Sequence, residues 1–178
     1  MTPDRWSVAA QSRSADETRR LAGRLAPLCR PGDLVLLSGG LGAGKTVFAQ
    51  GFAAALGVAG PVTSPTFTLV RQYACPPNPA GIEQLVHADL YRLDTLAEVL
   101  DLAIPELLDE AAVGLVEWGE VAAPALGTSA LHVTLTPAGT DEVDDERRAV
   151  WIEGVGPDWA DRRAVVAAAV GVVPVPPR

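Results

Sequence analysis

The 178-residue sequence predicts one α/β domain whose sheet is mostly parallel with antiparallel additions and whose helices cover both faces. Three observations predict it. Leu34 to Leu37 is a continuous apolar run, as expected of a strand buried on both faces of a parallel sheet. It leads straight into a glycine-rich turn and then a segment with Phe48, Phe52 and Ala55 at helical spacing. Further short apolar runs follow, one closed by Glu117 and another with Asp89 among its strand-like residues. The length suits one well-buried α/β domain and is short for two.

The elements follow in chain order. Residues 1–13 read as irregular. Ser14-x-x-Glu17 has the form of a capping box opening a helix with Leu21 and Leu25 on one face, and Pro27 stops or bends that helix. After the apolar strand, Gly39 and Gly44-Lys45-Thr46 satisfy the pattern G-x-x-x-x-G-K-[ST]. A helix over Val47–Leu56 comes next, with Gly57 placed to end it. Two strands, Thr66–Tyr73 and Leu85–Tyr91, flank the loop "ACPPNPAG" and are most simply antiparallel. Short helices are predicted over Thr95–Asp101 and Pro105–Ala111, and a strand over Val113–Val116 runs into Glu117-Trp118. Later strands are expected at Leu131–Thr136 and Arg148–Glu153, around the acidic stretch "DEVDDER", read as a solvated loop. A helix over Trp159–Val170 precedes a Pro-rich tail at 171–178, so the domain is taken as 14–170.

Lys45 is the single lysine beside thirteen arginines, and its setting explains why it is not another arginine. In a phosphate-binding loop (P-loop), successive backbone N–H groups from Gly39, Gly40, Leu41, Gly42, Ala43 and Gly44 through Lys45, Thr46 and Val47 surround an anion, aided by the N-terminal end of the following helix. A compact ammonium reaches the outer phosphates as a point charge where a planar guanidinium would not fit. The Thr46 hydroxyl suits a magnesium ion. The fold class is therefore a P-loop nucleotide-hydrolase type of α/β domain. "LSGG" at Leu37–Gly40 resembles a transporter-ATPase signature but overlaps the P-loop itself, whereas that signature belongs far downstream.

Composition narrows the rest. A formal net charge of -8, with arginines single or paired, argues against a large nucleic-acid footprint on this chain alone. No apolar run reaches membrane-spanning length and no leader-like segment opens the sequence, so a cytoplasmic protein without membrane contact is expected. Cys29 and Cys75 lack metal-ligand spacing and are expected as reduced thiols. Phosphoryl chemistry needs acids for the metal and a group to orient the nucleophile. Glu117, at the end of an apolar strand, is the candidate metal-holding and catalytic acid; the alternative is a plain surface acid. Asp89, in "HADLYRL", is a second catalytic candidate whose alternative is a solvated strand acid. "TSPTFTLV" is a hydroxyl-rich turn restricted by Pro65 that could contact phosphate and metal as a switch.

Taken together, "GGLGAGKT", "VTSPTFTLVRQY", "HADLYRL" and "LVEWGE", in this order and at this spacing, resemble the TsaE family, the bacterial P-loop ATPase of tRNA N6-threonylcarbamoyladenosine synthesis. The likeness runs from about Ser14 to Glu153. It implies that Lys45 binds the phosphates of ATP, that Thr46 and Glu117 hold Mg2+, that Asp89 is essential near the site, that Thr66 belongs to the switch and that Trp118 lies close to the nucleotide. It also implies that Ser14 and Asp16, with Arg147 or Arg148, close the nucleotide pocket. The implied activity is ATP hydrolysis, weak alone and stimulated by TsaB-like and TsaD-like partners, with tRNA reached through that complex. Gly40 and Gly119 depart from the family, which more often has an acidic residue and a proline there. A small nucleotide or metabolite kinase and a non-hydrolysing nucleotide switch are the rival readings. A GTPase is disfavoured because its Asn-Lys-x-Asp motif needs a second lysine.

Overall fold

Side chains along the central strand alternate between two cores, and this alternation sets the architecture of the computed structural model, which describes residues 5–108, 111–119, 123–138 and 146–172. In β2 (Leu34–Ser38), Val35 and Leu37 enter a core shared with α1 (Ala15–Leu25), α2 (Lys45–Ala55) and α6 (Arg163–Val170). Leu34 and Leu36 face a second core with α3 (Leu96–Asp101), α4 (Ile104–Leu107) and α5 (Ala123–Leu126). Helices thus cover both faces, and β2 is buried on both, which is why residues 34–37 are all apolar.

Seven strands form one sheet in the order β1-β7-β6-β2-β5-β4-β3. Its middle is parallel: β2 pairs with β5 (Ala112–Glu117) and β6 (Ala130–Pro137), and β5 with β4 (Gln84–Asp89). The margins are antiparallel, with β3 (Val70–Ala74) on β4 and β7 (Arg148–Val155) between β6 and β1 (Arg5–Ser12). The predicted fold class is the observed one. No helix among the described residues is long and apolar enough to cross a membrane.

Helix α1 opens at Ser14 as expected, but with only half of the expected capping box. Ser14 Oγ accepts from Glu17 N at 3.2 Å, while Glu17 Oε2 takes the Arg13 N–H at 2.8 Å. A 3-10 turn, Ala26–Leu28, ends the run at Pro27. Helices α1 and α2 cross at Gly51, where a Cβ would stand 2.2 Å from the Arg19 carbonyl oxygen, so any larger residue would push the helices apart.

Several boundaries need correction. The N-terminal stretch expected to be irregular is strand β1, paired residue by residue with β7 from Arg5↔Val155 to Ser12↔Arg148. Its partner lies at the far end of the chain, so no local pattern announces it. The strand expected over Thr66–Tyr73 begins only at Val70, because residues 66–69 form a turn in which Leu69, at φ 63°, donates its N–H to Pro65 O. The last helix is 3-10 over Pro157–Arg162 and α-helical only from Arg163. The predicted helix over Pro105–Ala111 is the single turn α4, with 109–110 outside the described residues. Helix α5 was not anticipated. The acidic loop lies largely outside the described residues, as does the Pro-rich tail beyond position 172. Cys29 and Cys75 are unpaired thiols.

Candidate functional site

The C-terminal ends of parallel strands β2, β4 and β5 deliver the loop 39–44, Asp89 and Glu117 to one edge of the sheet, where open α/β sheets bind ligands. The loop's first turn depends on Gly39, which has φ 138° and whose Cβ would stand 2.3 Å from the Leu135 carbonyl oxygen. Arg148 braces the loop from outside, its Nε donating to Ala43 O at 3.1 Å. Lys45 opens α2. Its Nζ donates to Gly39 O at 2.6 Å and Gly40 O at 2.9 Å and lies 3.8 Å from the centroid of the Trp118 ring. Trp118 takes this position with a left-handed backbone, φ 61°, a conformation costing a bulky residue about 1–3 kcal/mol and typical of functional sites. Tyr91 packs on it, ring centroids 5.0 Å apart.

Glu117 is buried, not a surface acid. The Thr46 hydroxyl lies 3.1 Å from its Oε2 and 3.3 Å from its Oε1, and the Nε2 of fully buried His87 is 2.9 Å from Oε1. Asp89 is buried too and stands beside Glu117 in the β4–β5 register. One of its oxygens accepts from Ser64 Oγ and from Thr66 Oγ1 at 2.8 Å, and the other accepts the Tyr91 N–H at 3.0 Å. Asp89 therefore ties the 63–68 segment to the sheet edge. A cavity of about 380 Å³ brings these groups together, lined by the loop, Lys45, Thr46, Ser64, Thr66, Asp89, Glu117 and Trp118.

Behind the loop lies a smaller pocket of about 100 Å³, lined by Ala15, Thr18, Val47, Glu146, Arg148 and the 42–44 backbone. It brings Arg148 and the start of α1 to the far side of the loop. Ser14 and Asp16 themselves are turned to other tasks, Ser14 capping α1 and Asp16 pairing with Arg19 at 2.8 Å. Gly119 donates its N–H to Leu37 O at 3.3 Å, a bond that a proline at this position could not make.

This geometry agrees with what the chain is similar to. The family model described as "Threonylcarbamoyl adenosine biosynthesis protein TsaE" matches residues 12–149, spanning the loop, Asp89, Glu117 and Arg148. The chain belongs to the TsaE family. A tRNA threonylcarbamoyladenosine biosynthesis protein TsaE of Streptomyces coelicolor is 43% identical over 143 residues, 80% of this chain and 93% of that protein. The protein of the same description from Bacillus subtilis is 39% identical over 127 residues, 71% of this chain and 76% of its own. A crystal structure of Bacillus subtilis YdiB superposes with a TM-score of 0.69 at 28% identity, covering 93% of this chain and 95% of that one. As a TsaE protein the chain is a P-loop nucleotide-binding protein of tRNA threonylcarbamoyladenosine biosynthesis.

Two residues of this TsaE site escaped sequence reasoning. Ser64 lies inside the quoted switch segment, yet only Thr66 was singled out; nothing local shows that both hydroxyls bind one carboxylate. His87 precedes Asp89 by two, hence on the same strand face, and that spacing was the available signal.

Proposed function

We propose that this TsaE protein binds Mg-ATP in the cavity of about 380 Å³ and hydrolyses it, slowly alone and faster in a complex with TsaB-like and TsaD-like partners that hold the tRNA. One observation carries the reading: the Lys45 ammonium, the Thr46 hydroxyl and the Glu117 carboxylate converge on one cavity from the P-loop and the neighbouring strand. In this role Lys45 exchanges its bonds to the Gly39 and Gly40 carbonyls for phosphate oxygens, while the loop N–H groups hold the rest of the anion. The residues present fit magnesium. A hydroxyl and a carboxylate 3.1 Å apart are hard oxygen donors. No group of three or more His, Cys, Asp or Glu among the described residues could hold a metal by itself, which suits an ion completing its shell with phosphates and water. Magnesium would neutralise charge on the outer phosphates. Asp89 holds the Ser64 and Thr66 hydroxyls at the cavity wall, the position from which a switch segment reports on the terminal phosphate.

The partner surface in this reading is the rim of the cavity. Leu41 is 85% exposed and Phe67 86%, with the Arg92 guanidinium 4.4 Å from the Phe67 ring and Tyr91 exposed beside them. A tRNA-modifying complex of this kind works in the cytoplasm. The test is ATP turnover of wild type and Glu117→Ala, with and without the purified partner pair. Glu117→Ala is expected to lose at least about a hundredfold in rate while still binding ATP, and partners should raise the wild-type rate by about a thousandfold or more. Normal turnover by Glu117→Ala would reduce that acid to a structural role.

A further inference from the structure

We propose that His87 is a positioning residue: it fixes the Glu117 carboxylate in the orientation in which it holds the divalent cation, and so sets metal affinity without touching nucleotide. The inference rests on the reading of Glu117 as the metal-holding acid. On the α2-facing side of β4, residues 85, 87 and 89 are Leu, His and Asp, and Leu85 lies in the apolar core while His87 is fully buried. An aliphatic side chain would fill this position at lower cost, since an imidazole brings two polar nitrogens that must be matched or left bare.

Only one nitrogen is matched. Nε2 lies 2.9 Å from Glu117 Oε1, and Nδ1 has no hydrogen-bond partner. A carboxylate oxygen accepts, so the ring presents an N–H on Nε2 to it. The imidazole is therefore kept in the core for a single contact, and that contact is to the acid at the cavity. The same carboxylate is also met by Thr46, whose hydroxyl lies 3.1 Å from Oε2 and 3.3 Å from Oε1. Glu117 is thereby held by a histidine of β4 and a threonine of α2, which removes its freedom to rotate about the terminal carbon–carbon bond. A hydrogen-bonded group behind a ligating carboxylate typically governs about 10- to 100-fold in metal affinity or activity.

The experiment titrates Mn2+, followed by electron paramagnetic resonance, into the purified full chain loaded with a non-hydrolysable ATP analogue. Calorimetry in EDTA separately measures the metal-free affinity for the same analogue. His87→Leu and His87→Asn are expected to weaken Mn2+ binding about 10- to 100-fold, because neither places a donor where Nε2 stands. His87→Gln, whose amide nitrogen reaches that position, should restore it to within about threefold, and the EDTA affinity of all three should stay within about twofold of wild type. Wild-type Mn2+ affinity in His87→Leu or His87→Asn would overturn the proposal. So would equal losses in His87→Gln and His87→Asn accompanied by lower melting temperatures, which would make His87 a packing residue. If His87→Leu does not fold, the Gln and Asn pair decides alone. Should Glu117→Ala bind Mn2+ as wild type does, the reading of Glu117 fails first and carries the proposal with it.

Discussion

The two ends of β2 each carry a buried charged cluster, and only one of them is a site. At the entry end Asp33 pairs with Arg162 Nη1 and also accepts the Arg30 N–H at 2.7 Å, with the Arg162 guanidinium 4.4 Å from the Trp159 ring. Both side chains are buried and each charge has its counter-charge in place. Cys29 beside them is inert, since burial, reinforced by the Asp33 carboxylate, pushes its thiol far above the ordinary range while Arg162 offsets only part of this. At the exit end Lys45, Thr46, Asp89 and Glu117 are buried to a similar degree or half-buried, yet they line open space. Lys45 there is met by carbonyls and a ring, and Glu117 by a hydroxyl and an imidazole. Burial of charge alone does not mark function. Charge that borders an open cavity does, because a ligand can reach it and exchange its partners.

Breaking the sealed end should have the largest effect on folding and the smallest on binding. Arg162→Met leaves the Asp33 carboxylate buried without its ion partner, and stability should fall by about 3–5 kcal/mol. For a chain of this size that lowers the melting temperature by about 6–20 °C. The double variant Asp33→Leu/Arg162→Met should recover most of it, because the pair is replaced rather than split. A loss under about 1 kcal/mol for Arg162→Met in denaturant unfolding would show that the cluster tolerates a lone carboxylate.

At the open end the order reverses. Lys45→Arg should weaken ATP binding nearly as much as Lys45→Ala, by about 1.5–3 kcal/mol or roughly 10- to 150-fold, although charge is kept. The ammonium reaches between the Gly39 and Gly40 carbonyls and the Trp118 ring, a space that a planar guanidinium does not fit. Calorimetry showing Lys45→Arg binding ATP like wild type would remove compactness as the reason for the lone lysine. The smallest effect belongs to Trp118→Phe. A phenyl ring still faces Lys45, so affinity should change by less than about 1 kcal/mol. Most of the nucleotide-induced change in tryptophan emission should nevertheless vanish, since Trp6, Trp151 and Trp159 lie outside the cavity lining. An undiminished signal would assign the change to one of those three.

The same contrast explains which parts were legible beforehand. The loop from Gly39 to Thr46 is built from backbone geometry and one short side-chain sequence, so its chemistry is local and a string of residues encodes it. The Asp33–Arg162 pair joins residues 129 positions apart and left no trace in the sequence. The 66–69 segment misled in a different way. Its Thr and Phe content has the preference of a strand, but the Ser64 and Thr66 hydroxyls bind Asp89 and the chain turns there, so tertiary hydrogen bonds override propensity.

By itself the sequence determined that β2 is buried on both faces, that a phosphate-type loop follows it, that a helix follows the loop, and that Glu117 closes a core strand. These depend on apolar runs, glycine positions and periodicity within a few residues of each other. Only the tertiary structure decided that residues 5–12 form a strand, that this strand pairs with β7 from the far end of the chain, and that His87 and Thr46 both meet Glu117. Strand pairing across the length of the chain and convergence of side chains from separate elements are set by how the layers pack, and packing is a property of all the residues together.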